Sequence, residues 1–117
     1  MTIHDAISQL AQVISGQINY RDDVIEPTPT TEAGRAVASV LTDLRAVMDR
    51  ITYAQTSGLW FDNLNRPTTE ARLLADARQR FVLLRMALGR HCWSDGLNSG
   101  DRAELAQALD AVEAALG

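Results

Sequence analysis

The chain has 117 residues, 46% apolar and 22% charged, with a formal charge of −4; this describes a single globular domain that can bury a core without metals or disulfides. One cysteine, Cys92, excludes an internal disulfide framework and suits a reducing, cytoplasmic setting. No apolar run approaches the roughly 20 residues of a membrane helix, and "MTIHDAISQL" lacks the basic and apolar regions of a secretory signal.

All eleven basic residues are Arg, which excludes lysine Schiff-base chemistry and a P-loop lysine. The bias fits a GC-rich coding sequence, as in some bacteria and their phages, better than any physical demand. The acidic balance argues against a dedicated nucleic-acid binder.

The first helix is marked by Ile3, Ile7, Leu10 and Ile14 on one face, with Ala6 and Val13 beside them and Thr2 as N-cap. "YRDDVIEPTPT" follows, where two prolines and the Asp22–Asp23 pair deny a helix. The paired aspartates read most simply as turn residues, with weak cation binding as the alternative. The second helix repeats Ala33, Val37, Val40, Leu44, Val47, Ile51 and Ala54 at spacings of four and three, and Leu41 and Met48 widen the stripe. "TSGLWFDNLNRP" breaks it.

The third helix opens on "PTTEA", the same five letters that open the second. Little else repeats, so shared capping explains the match better than duplication. Thr30 and Thr68 are the expected caps, with Glu32 and Glu70 near the positive helix ends. The core stripe of this helix is Leu74, Ala77, Phe81, Leu84 and Leu88, flanked by Leu73, Val82 and Ala87. After "SDGLNSG", Ser99 or Asp101 starts a fourth helix striped by Leu105, Leu109, Val112 and Leu116.

These segments predict an all-α four-helix up-down bundle, with helices near 3–18, 31–55, 68–92 and 101–116 in one domain over 1–117. The alternative is a helical hairpin whose terminal helices dock elsewhere, the first as a separate arm beyond the 19–30 loop.

"FVLLRMAL" at 81–88 is apolar at every position but Arg85. Leu83 and Met86 fall where Arg72, Asp76, Gln79 and Arg90 otherwise make a polar face. Either the helix is enclosed on all sides, or Leu83 and Met86 centre a contact surface rimmed by Arg, since Met and Arg are both enriched at interfaces. Charge is segregated in the same region. Residues 63–93 carry six Arg and two acids, while 1–62 carry four Arg and eight acids and 94–117 one Arg and five acids. Pairing with the acidic neighbours is the favoured reading; an Arg stripe for an acidic partner or a phosphate backbone is the other.

Catalytic signals are poor. His4 and His91 stand apart, and no Glu precedes a His at the spacing of a di-iron bundle. His91 and Cys92 are neighbours and so diverge by about 100° on a helix, which suits neither base–nucleophile pairing nor, with Asp95, a strong metal site. No phosphate-loop, dinucleotide or nucleophile-elbow pattern occurs. Trp60 and Trp93 plug the bundle ends in the simpler reading; in the other, Trp60 with Phe61 is an exposed anchor. Six aromatics in all are too scattered for a base-stacking platform.

The sequence therefore favours a non-enzymatic protein that binds another protein, as a homo-oligomer or as a subunit, adaptor or inhibitor in a phage or bacterial assembly, in the cytoplasm or attached to a virion. No cofactor, metal or membrane is expected. Leu83, Met86, Arg72, Gln79, Arg90, Trp60 and Phe61 are the candidate contacts. A nucleic-acid-associated accessory protein using the Arg face of the third helix is the alternative.

Overall fold

The computed structural model describes residues 2–22 and 29–117, with backbone alone at 21 and 22. Four helices follow one another: α1 (Ile3–Asp22), α2 (Glu32–Ser57), α3 (Glu70–Arg90) and α4 (Ser99–Leu116), with a 3-10 turn at Trp93–Gly96. They close into a ring in which α1 packs on α2 and α4, and α3 packs on the same two. Directions alternate. The end of α1 meets the start of α4 where Gln17 donates to the Asp101 carbonyl, and the first half of α3 meets the end of α4 where Arg78 donates to the Leu116 carbonyl. The 41 Å long axis matches the 26 residues of α2 at about 1.5 Å each. The expected bundle is the one observed.

Each helix starts where a side-chain oxygen meets an orphan amide. Thr2 Oγ1 accepts from the Asp5 amide at 3.1 Å, as its cap position predicts. For α2 and α3 the caps are Thr31 and Thr69, one residue later than expected, accepting from Gly34 at 3.0 Å and Arg72 at 3.2 Å. The backbone of the other Thr of each pair is bonded elsewhere. The Thr30 carbonyl accepts from the Arg35 guanidinium at 2.9 Å, and the Thr68 amide donates to the Trp60 carbonyl at 3.0 Å. Asn98, not Ser99 or Asp101, caps α4, its Oδ1 accepting from the Asp101 amide at 2.8 Å. Helix α1 runs to Asp22 rather than 18, because Ile18 is still buried and the prolines that stop a helix come later, at 27 and 29. The Asp22–Asp23 carboxylates lie outside the described side chains.

The core follows the periodicities, except that Ala33, Val40 and Leu109 are half-buried and Ala108 takes the core position on α4. Ile3, Ile7, Leu10, Ile14, Val37, Leu44, Ile51, Phe81, Leu84, Leu105 and Val112 are all buried. Val82 is a correction: it is 55% exposed. Leu73 takes the core position and Leu74 is half-buried, so the buried line of α3 is 73, 77, 81, 84, 88. That line keeps 77, 81, 84 and 88 of the expected stripe and exchanges 74 for 73, on the side away from Val82, which is left facing outward.

Among the described residues Gln17 is the one polar residue that is buried as a whole. Gln17 is 6% exposed; its Oε1 accepts from Trp93 Nε1 at 2.9 Å and its Nε2 donates to the Asp101 carbonyl at 3.3 Å. Trp93 is the most voluminous side chain that is fully buried, and Gln17 supplies the partner its indole N–H needs there. Trp93 is the expected plug of one bundle end.

Candidate functional site

At about 100° per residue, the buried line of α3 points to one side and Arg72, Gln79, Leu83, Met86 and Arg90 fall within about 60° of arc on the other. All five are exposed. Leu83 is 44% and Met86 55% exposed, and Val82 borders them. The enclosed reading of "FVLLRMAL" is thereby overturned: phenylalanine, leucine and alanine fill the core side, and the remaining apolar residues face outward. Among the described residues no other element covers them.

The arginines of this region divide into two groups. Arg80 reaches Asp43 on α2 at 3.4 Å and Asp76 on its own helix at 3.3 Å. Arg85 pairs with Glu113 on α4 at 3.0 Å and lies 4.8 Å above the centre of the Phe81 ring. Arg78 donates through Nε and Nη2 to the Leu116 carbonyl, at 3.1 and 2.8 Å. Arg66 is held by Asp62 at 3.0 Å. The Arg80, Arg85 and Arg78 contacts tie α3 sideways to both neighbours. Arg72 and Arg90, about 27 Å apart along the helix, form no ion pair among the described residues. The two unpaired guanidinium groups are therefore the two on the outward arc.

Trp60 and Phe61 do not join this face. Trp60 is half-buried and packs against the core, so it is no free anchor. Helix α2 ends on Gly58, whose positive φ of 76° lets its amide turn back to the Ala54 carbonyl at 2.8 Å. The chain then folds into a small hairpin over 60–68, paired by Asp62 N–H to Arg66 at 2.9 Å and Thr68 N–H to Trp60 at 3.0 Å, with a bridge between Phe61 and Pro67. Its turn is built on Asp62, whose Oδ1 accepts from the Leu64 and Arg66 amides at 2.9 and 3.0 Å, and on Asn65 at φ 58°. The Arg66 amide foremost holds the Asp62 carboxyl below its ordinary range; burial, next in size, opposes it, and the Leu64 amide and the Arg66 guanidinium add to the lowering.

So braced, the hairpin presents Leu59, Phe61 and Leu64 outward at 52%, 38% and 66% exposure. Phe61 and Leu59 wall a groove of about 540 Å³ with Ala46, Asp49, Arg50 and Tyr53 of α2. The sequence reading missed this groove. Tyr53 stands off the α2 core stripe and was the available signal, but only the folded hairpin brings Leu59 and Phe61 to it.

For chemistry the structure brings little together. Among the described residues no three His, Cys, Asp or Glu side chains lie close enough to share a metal ion. His91 is half-buried at the C-cap of α3, and Cys92 is exposed in a left-handed turn conformation at φ 49°. None of the described helices is long and apolar enough to cross a membrane. No family model, curated protein or solved structure matches this chain.

Proposed function

We propose that the chain is a non-enzymatic helical interaction protein, a subunit, adaptor or inhibitor that docks a protein partner on the outward face of α3. One observation carries this reading: Leu83 and Met86, with Val82 at their edge, are exposed on the same arc as Arg72 and Arg90, which form no ion pair among the described residues. Covering a side chain of this size is worth about 1.5–3 kcal/mol, and a free guanidinium at each end favours a carboxylate on the partner. The fitting partner is a helix with apolar residues between acidic ones.

A second copy of this chain meets that description only in part, because the one acid beside its apolar arc is Asp76, which Arg80 shares at 3.3 Å. If two α3 helices pair antiparallel about Leu83, Arg90 of one stands level with Asp76 of the other, each seven positions from the centre. The nucleic-acid reading loses support, because four of the six arginines in 63–93 are already engaged by groups of the chain itself. The Arg-only composition fits a phage or bacterial source.

The test is Leu83→Glu with Met86→Glu. Both sites are open in the single chain, so circular dichroism should show an unchanged helical fold. Sedimentation velocity should show the assembly shifted toward monomer, or a co-purified partner lost, because carboxylates buried at an apolar contact are desolvated and unpaired. A folded double variant with wild-type assembly and partner retention overturns the proposal.

A further inference from the structure

The groove between α2 and the hairpin lies apart from the α3 face and has a chemistry of its own. Its walls are the large apolar surfaces of Leu59, Phe61 and Tyr53, and its volume of about 540 Å³ falls in the range of about 300–1,000 Å³ that small ligands occupy. The hairpin wall is pre-shaped by the Asp62 carboxylate, which accepts from two amides and one guanidinium of its own turn. It holds Leu59 and Phe61 in the open rather than folding them onto the core.

Two charged side chains line the same groove. Asp49 is exposed to solvent and lies 4.0 Å from Arg45 one turn away. Arg50 is half-buried and has no ion pair among the described residues. Asp43 and Asp76, which line an adjoining cleft with Arg50, are both taken by Arg80. A cation beside apolar walls feels less screening than one in open solvent, and a guanidinium there makes its strongest contacts with an anionic oxygen.

We propose that this groove binds a small organic anion that carries one large apolar group: Leu59, Phe61 and Tyr53 take the apolar part, and Arg50 takes the charge. The probe is 1-anilinonaphthalene-8-sulfonate, a two-ring apolar body with one negative charge, set against the neutral N-phenyl-1-naphthylamine. The folded wild-type protein should bind one equivalent of the anionic dye saturably. Arg50→Gln should weaken the anionic dye at least fivefold and change the neutral dye by less than twofold, while Arg50→Lys retains most of the affinity. Phe61→Ser should weaken both dyes. Circular dichroism of each variant establishes that the bundle is intact.

The Leu83→Glu/Met86→Glu protein should bind the anionic dye as the wild type does, which separates this site from the α3 face. Absence of saturable binding overturns the proposal. So does equal binding by Arg50→Gln, or loss of binding in the α3 double variant, since the dye would then report a neutral patch or the other surface.

Discussion

Replacing Gln17 by Leu tests whether its buried bond to Trp93 stabilises the bundle. The two side chains are close in volume, so no large cavity opens and the packing of α1 on α4 is preserved. What changes is hydrogen bonding. Trp93, 1% exposed, keeps its indole N–H but loses the Gln17 acceptor at 2.9 Å, and a buried donor without a partner costs about 1–3 kcal/mol. The longer 3.3 Å bond to the Asp101 carbonyl is a smaller loss, since that carbonyl belongs to the first turn of α4 and keeps its helical role. The added apolar surface of Leu recovers a similar small amount. The net expectation is a loss of about 1–3 kcal/mol. At about 2.1 cal/mol/K per residue of unfolding entropy, 117 residues give about 0.25 kcal/mol/K, so Tm should fall by about 4–12 °C. Urea unfolding followed by circular dichroism measures the free energy, and the cycle with Trp93→Phe isolates the pair. In that cycle the double variant should be less destabilised than the sum of the singles, because the second change removes the group the first one orphaned. A Gln17→Leu protein within 0.5 kcal/mol of wild type, or strict additivity, refutes the reasoning.

Leu44→Ala empties a fully buried position on α2 and should cost about 2–5 kcal/mol; a loss below 0.5 kcal/mol in urea would mean that the site is not packed as described. Asp62 carries a pH prediction. Its carboxyl is held below the ordinary 3.8, so its contribution to the hairpin is complete above that value and is lost as pH falls through the lower folded one. A carboxyl-carbon titration by NMR should have its midpoint below 3.8. Asp62→Ala should speed exchange of the Leu64 and Arg66 amides without loss of helicity. A midpoint at or above the ordinary value, or unchanged exchange, contradicts the turn geometry.

The helices were legible because burial follows period. Ile3, Ile7, Leu10 and Ile14 recur at helical spacing, and all four are buried. Where the reading slipped, the deciding contact came from elsewhere in the chain. Two consecutive threonines in "PTTEA" are equivalent caps by composition; in the fold the Thr68 amide pairs with the Trp60 carbonyl in the hairpin, and Thr69 caps α3. Val82 and Leu73 are each one residue off the expected stripe, and the rotation that separates their fates is set by the neighbours on which α3 packs. Leu83 and Met86 could be singled out because charge is expected at their positions, but their exposure required the fold. The groove was beyond sequence reasoning: Arg50 is an ordinary helix-surface arginine until the Asp62 turn sets Leu59 and Phe61 beside Tyr53.

The ring of helices also has a kinetic consequence. Contacts between α2 and α3 join elements separated by one twelve-residue connection, whereas α1 and α4 meet only after nearly the whole chain is drawn together. Closing the longer loop costs more chain entropy, and contacts across it are rewarded late. The α2–α3 pair with its hairpin is thus the natural folding nucleus, and the seam between α1 and α4 is the last to lock. The Gln17–Trp93 bond spans 76 positions, so it belongs to that final step. In a chevron experiment its loss should appear in the unfolding limb, while Leu44→Ala should slow refolding. The bond works as a latch: it has little say in how quickly the bundle assembles and governs how long the bundle stays closed.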